Sequence, residues 1–295
     1  MLSLTHLESI ARHHGGDLAA TVAGFDLAGR TFGGGHPPAV MGVINLSADS
    51  WYRESVCLST EQAVRRGHVL AAQGAHILDL GAESTLSHAA RADEALQQSR
   101  LLPVVRELAA AGHLISVETY QPAVTRACLE AGARVLNLTG NDRSAEMYRM
   151  VADHDAAVIL CHIQGDNVRS VGDFESGPDV AARMRDSFAR QIDGATSQGV
   201  RKLWVDPGMG FYYRNLQDSA VRIRHQMQVF LNSFRLRSLG WPVCHALPHA
   251  FECFGEEVRC AEPFFAVLAA LGKTDLFRTH EVPRTRAVLD TLALW

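Results

Sequence analysis

The chain has 295 residues, 47% hydrophobic and 20% charged, with 28 basic and 32 acidic side chains and 14 histidines. This composition excludes a disordered chain, and a net charge of -4 without a long Lys or Arg run excludes the footprint of a nucleic-acid binder. No apolar run approaches the roughly 20 residues that span a bilayer. The start MLSLTHLESIARHHGGD has an acid and several histidines where a signal peptide has a basic start and an apolar centre, so a cytoplasmic protein without a membrane anchor is expected.

Residues 1–24 read as a short helix and a Gly-containing turn, with Thr5 and Glu8 in capping-box spacing. Residues 25–32 alternate around Gly29 as a hairpin, and GGGHPP at 33–38 ends this extension. From Val40 onward a Gly-terminated helix, a short apolar run and a polar close recur, at 74–81, 112–119, 132–140, 199–208 and 272–281. Less punctuated runs at 39–47, 157–163 and 242–247 bring the strand count to eight. Helical patterns lie between, at 60–73, 93–111, 122–131, 145–152, 178–197, 216–238, 263–271 and 283–294. The apolar runs are nearly continuous, as strands buried on both faces require.

Strands alternating with helices imply right-handed crossovers and a parallel sheet. Eight such units, with no G-x-G-x-x-G after the first strand, predict an α/β fold of (β/α)8 TIM-barrel type over 39–295, preceded by a helix and hairpin extension over 1–38. Chemistry in such barrels sits where strands end. Here those residues are Asn45, Asp79, Glu83, Glu118, Asn137, His162, Asp206, His245, Arg278 and His280. The six cysteines form no C-x-x-C pair and read as reduced, mostly buried thiols. The first strand ends Asn-Leu-Ser and no His-x-His occurs, which argues against a hydrolase with a His-rich metal centre.

Seven collinear strings, MGVINLSADSW (41–51), GAHILDLGAEST (74–85), ISVETYQPAV (115–124), AGARVLNLTG (131–140), VILCHIQG (158–165), VDPGMGF (205–211) and FRTHEV (277–282), resemble the successive strand motifs of the dihydropteroate synthase family. The resemblance implies a transferase of folate biosynthesis that condenses a dihydropterin-methyl diphosphate with 4-aminobenzoate or a related amine and releases diphosphate. It implies substrate binding by Asp206, Asn137, Glu118 and Thr85, with Asn45 near the diphosphate and its Mg²⁺. Arg278 and His280, two residues apart on one strand face, match the pair that receives the diphosphate. A homodimer through the last helices is implied as well. His162 reads as a satisfied structural histidine.

The departures are specific. Glu118 stands where the family has aspartate, the loop-2 arginine is replaced by the stretch Leu86, Ser87, His88, and the family's Ser-Arg-Lys gives way to LPHAF at 247–251. His249 is the nearest stand-in for the lost lysine, with His88 beside the lost arginine. Tyr212 and Tyr213 replace a Gly-Lys, and Ala48 a first-loop proline. Losing one preorganised contact to developing charge costs about 10²- to 10³-fold in rate. The departures therefore keep open two alternatives: a recruited transferase using a pterin or reduced folate with another acceptor, and a catalytically weak pterin-binding paralogue.

Overall fold

Two short strands, β1 (Phe25–Leu27) and β2 (Arg30–Phe32), precede eight parallel ones. These are β3 (Ala39–Asn45), β4 (Ile77–Gly81), β5 (Ile115–Thr119), β6 (Val135–Leu138), β7 (Ala157–Cys161), β8 (Leu203–Asp206), β9 (Cys244–Ala246) and β10 (Leu276–Thr279). The computed structural model describes every residue except 87, 88, 176, 178 and 212. Consecutive residues of the long runs, such as Val40, Met41, Val43 and Ile44, are shielded from solvent on both faces, which is why they do not alternate in polarity.

The strands pair in the order β8, β7, β6, β5, β4, β3, β10, β9, and a parallel bridge between Val205 and Val243 joins the two ends into a ring. The barrel expected from the sequence is thus the fold. Its register fixes the chemistry: Asn45 lies opposite Gly81, Gly81 opposite Glu118, and Glu118 opposite Asn137. Polar strand ends therefore fall on one ring around the mouth.

Eight helices cover the barrel: Thr60–Ala72, Glu94–Ala110, Pro122–Glu130, Ser144–Asp153, Val180–Ser197, Ser219–Asn232, Ala261–Leu271 and Val282–Leu292. Ser59, Asp93, Asp179 and Asp218 cap four of them by accepting a backbone N–H three residues on. Gly74 and Gly132, at φ 101° and 117°, supply the left-handed step that ends a helix and turns the chain into the next strand. The expected helix over 216–238 ends early. After Asn232 the chain tightens into a 3₁₀ segment, Ser233–Leu239, in which Arg235 and Arg237 turn inward to Asp179 and Asp275 before Gly240 stops it.

The first helix, Leu4–His13, is capped two residues earlier than expected: Ser3 is the N-cap and its N–H donates to His6 Nδ1 at 3.1 Å, so Thr5 and Glu8 lie inside the helix. The hairpin forms as read, turning through Ala28 and Gly29 at φ 49° and 77°. Phe25 and Phe32 pack edge-on against Trp204 at 4.7 and 5.2 Å, and Leu27 and Phe32 share a buried cluster with Ala39, Cys244 and Leu276, which begin their strands. The hairpin stoppers the N-terminal end of the barrel. All six cysteines are free, and only Cys253 and Cys260 are exposed. Among the described residues no helix is long and apolar enough to cross a membrane.

Candidate active site

At the C-terminal end of the strands lies a cavity of about 240 Å³, and Asn45, Thr85, Glu118, Asn137, Asp206, His249, Arg278 and His280 all line it. Residues up to 235 positions apart in sequence, from Asn45 to His280, meet because the strand ends and the loops after them converge on the same place. His88 lies outside the described residues, as does Tyr212.

The floor is a hydrogen-bonded charge cluster. Arg278 donates through Nε to Asp79 at 2.7 Å and through Nη2 to Glu118 at 2.5 Å. Asp79 is wholly buried and also accepts from Ser116 Oγ at 2.6 Å and Asn137 Nδ2 at 3.3 Å. Asn137 is thereby held edge-on, with Cys161 donating to its oxygen. The extra methylene of Glu118 lets its carboxylate reach the guanidinium. Burial pushes Glu118 up to about 7 against the pull of Arg278. Arg278 Nη1 has no protein partner among the described residues and stays available to a ligand.

Asp206 stands across the ring from this cluster. Burial raises it to about 6, opposed by the N–H of Gly208, which donates to its Oδ1 at 2.8 Å, and by Arg278. Gly208 is irreplaceable for two reasons: its φ is 75°, and a Cβ there would sit 2.5 Å from the His162 carbonyl oxygen. Gly208→Ala is expected to cost at least about 1–3 kcal/mol from backbone strain alone. A urea melt with a lowered midpoint and unchanged slope is the check; an unshifted midpoint refutes this account.

Asn45 donates through Nδ2 to Ser55 Oγ at 2.6 Å, and Ser55 in turn donates to the Tyr52 carbonyl. That fixes the amide with its Oδ1 toward Gly81. Tyr52, from the first loop, stacks on His249 and meets His280 at a tilt, both at 4.8 Å, and donates to Glu281. Burial lowers His249 to about 4 and His280 well below its ordinary range, so both rings are neutral near pH 7. His249 is therefore not a cationic replacement for a lysine. The outer rim is aromatic: Trp51 meets Phe251 edge-on at 5.2 Å, and Phe211 lines the same opening. Arg222, also at the rim, is paired with Glu252.

Two strand-end residues do not contribute. His162 is buried with Nδ1 unpartnered, held near 4 by burial, so it is structural but not satisfied. His245 packs on Phe230 at 4.5 Å with neither ring nitrogen bonded. Tyr213 is a core residue whose hydroxyl accepts the Gln164 N–H. Where Leu86 follows Thr85, the side chain is buried, and Arg169 from a different loop clamps the carbonyls of Ser84, Leu86 and Ala89. The loop is thus held by an arginine from outside it.

Sequence reasoning singled out no role for Asp79, Tyr52 or Glu262. Asp79 carried a signal, since it lies two residues before the strand end and faces the same way as Gly81. Glu262 reads as an ordinary acid in a helical first turn.

A family model described as "Pterin binding enzyme" matches residues 41–244. The dihydropteroate synthase of Mycobacterium leprae is 31% identical over 268 residues, spanning 88% of this chain and 94% of that one. The Xanthomonas albilineans dihydropteroate synthase solved with 4-aminobenzoic acid has a TM-score of 0.76 at 30% identity, covering 93% of this chain and 98% of that one. Its complex with 7,8-dihydropteroate has a TM-score of 0.72 at 27% identity, covering 92% and 97%.

Proposed function

Since the chain belongs to the dihydropteroate synthase family of pterin-binding enzymes, which are transferases, we propose how its own residues divide the reaction between them. The substrates are a dihydropterin-methyl diphosphate and 4-aminobenzoate or a related arylamine. The observation that carries this reading is the pairing of Asp206 and Asn137 at the bottom of a cavity whose rim is aromatic. The Asp206 carboxylate accepts the two parallel N–H groups of an amino-pyrimidinone edge, and Asn137 offers both a donor and an acceptor to the same ring. Glu118 and Arg278 form the remaining polar wall, and Thr85 borders it. Trp51, Phe211 and Phe251 cover the aryl ring of the acceptor.

The amine nitrogen forms a bond to the exocyclic methylene carbon, the C–O bond to diphosphate breaks, and the amine proton leaves to solvent. Arg278 Nη1 and the pocket-lining His280 face the departing anion. Asn45 Oδ1, oriented by Ser55, fits a hard cation that takes oxygen ligands and keeps several waters. Asn45 would hold Mg²⁺ there, and the ion supplies neutralisation of diphosphate charge. Exposed Phe264, Leu271, Leu292 and Trp295 on the last two helices and the tail support a homodimer. A cytoplasmic setting fits free, reduced cysteines.

Purified protein given the dihydropterin-methyl diphosphate and Mg²⁺ is expected to release diphosphate only when an arylamine is added. No release with any arylamine overturns the reading. The shortage of unpaired cations favours a second reading, transfer from a pterin or reduced folate to another acceptor, because Arg222 is paired with Glu252 and Arg278 with two carboxylates.

A further inference from the structure

One wall of the cavity carries a cluster of which the transfer reaction uses His280 alone. His249, in the loop after β9, and His280, just past β10, both turn Nδ1 toward the carboxylate of Glu262. Glu262 is 0% exposed. Its Oε2 accepts the N–H of His280 at 2.8 Å, the N–H of Glu281 at 3.1 Å and the hydroxyl of Thr279. Its Oε1 lies 2.7 Å from His280 Nδ1 and 3.5 Å from His249 Nδ1. The Nδ1 of His249 is buried and has no hydrogen-bond partner.

Burial raises the Glu262 carboxyl above its ordinary range, opposed by the donors around it rather than by a bonded cation. Among the described residues no lysine or arginine pairs with Glu262, whereas neighbouring Glu281 has both Arg259 and Arg284. Buried charges are paired or coordinate metals. Among the described residues the two imidazoles are the only titratable side chains facing its Oε1, Arg66 reaching no nearer than the His280 carbonyl, and burial disfavours their protonated forms.

We propose that His249 Nδ1, His280 Nδ1 and Glu262 Oε1 form a binding site for one dication of the zinc class. One ligand atom from each of the three residues already lies within 4.8 Å of the others, and Oε1 is 2.7 and 3.5 Å from the two Nδ1 atoms. Ligands about 2.0–2.2 Å from a tetrahedral ion sit a little over 3 Å apart, and two histidines with one glutamate are an established three-ligand set for zinc. Glu262 has the outer shell such a ligand needs, with one oxygen pinned by three donors and the other turned to the histidines. Two imidazoles select zinc, cobalt, nickel or copper over magnesium or calcium, so the site is chemically distinct from the oxygen donor at Asn45. Coordination through Nδ1 requires His280 to carry its single proton on Nε2, so the Nδ1–H bond to Glu262 is exchanged for the metal by a change of tautomer and the ring stays neutral. The bound ion adds two positive charges to a cavity short of free cations. That consequence rests on the transferase reading; the binding itself does not.

The test is a Co²⁺ titration of metal-stripped protein, followed by the visible absorption of tetrahedral Co²⁺ and displacement by Zn²⁺, with no pterin or amine present. The expected result is saturation at one equivalent, weakened at least about tenfold in His249→Ala and in Glu262→Gln. His113→Ala is the control. It removes the one other close histidine pair among the described residues, where His68 Nδ1 lies 2.9 Å from His113 Nε2, and should leave the absorption intact. No saturable band, or a band lost in His113→Ala and kept in His249→Ala, overturns the proposal. Should Glu262→Gln not fold, His249→Ala decides alone, because the His249 side chain makes no hydrogen bond that holds its loop.

Discussion

Asp206→Asn is expected to weaken pterin binding by about 10²- to 10⁴-fold. The ionised carboxylate presents two acceptors to two N–H donors, and each charge-assisted bond contributes about 1.5–3 kcal/mol. Asparagine turns one acceptor into a donor, which meets a donor on the ring, so one bond becomes a clash and the other loses its charge. Calorimetry with an oxidised pterin is the measurement, and unchanged affinity would move the pterin elsewhere. The pH dependence has a defined sign. Burial raises Asp206 to about 6, so the carboxylate is largely ionised above pH 7 and largely protonated below pH 5. Pterin affinity of the unmodified protein should therefore rise as pH climbs through about 6 and level off above it. In the free protein the same raised value makes folding less favourable as pH rises from about 4 through 6, since the native state there binds the extra proton.

Arg278→Met should be the most damaging single change to the fold made at the site. It leaves Asp79, wholly buried, and Glu118, mostly buried, without the guanidinium that joins them. Removing one partner of a buried ion pair commonly costs about 3–5 kcal/mol, because the remaining charge has no compensation. Chemical unfolding measures the loss. The decisive comparison is with the triple variant Asp79→Asn, Glu118→Gln, Arg278→Met, which removes both charges as well and should recover most of the stability. It should not recover transfer, because Nη1 is gone. If the single and triple variants are equally unstable, packing by the arginine stem rather than its charge holds the floor together.

Much of the barrel was readable in the residues because its strands are buried on both faces and its helices end in glycine, two patterns that local sequence displays. The site was readable as far as it is built from strand ends. Asn45, Glu118, Asn137, Asp206, Arg278 and His280 are fixed by where each run stops, and the closed ring brings them together without further information. What could not be read depends on loops or on helices behind the sheet. Tyr52 enters from a loop with no periodicity, and Ala250 adopts φ 44° beside His249, a choice invisible in composition. Glu262 sits in a first helical turn where an acid is ordinary, 18 residues from the histidine it touches. The locking of Arg278 was hidden too, since Asp79 and Glu118 reach it only through the tilt and register of three separate strands.

Beneath the site the barrel is filled by side chains such as Met41, Ile77 and Ile159, with the hairpin below them, so the vessel has a single neck. Asp206 and Asn137, each only 4% exposed, lie at its base, while Trp51 stands 45% exposed at its lip. For the proposed transfer, two reactants that share one passage are expected to queue: the one bound at the base arrives first, the second closes over it, and the joined product backs out past the same aromatic lip. That order would be set by the packed interior beneath the site, whose far end Phe25 and Phe32 cover through Trp204.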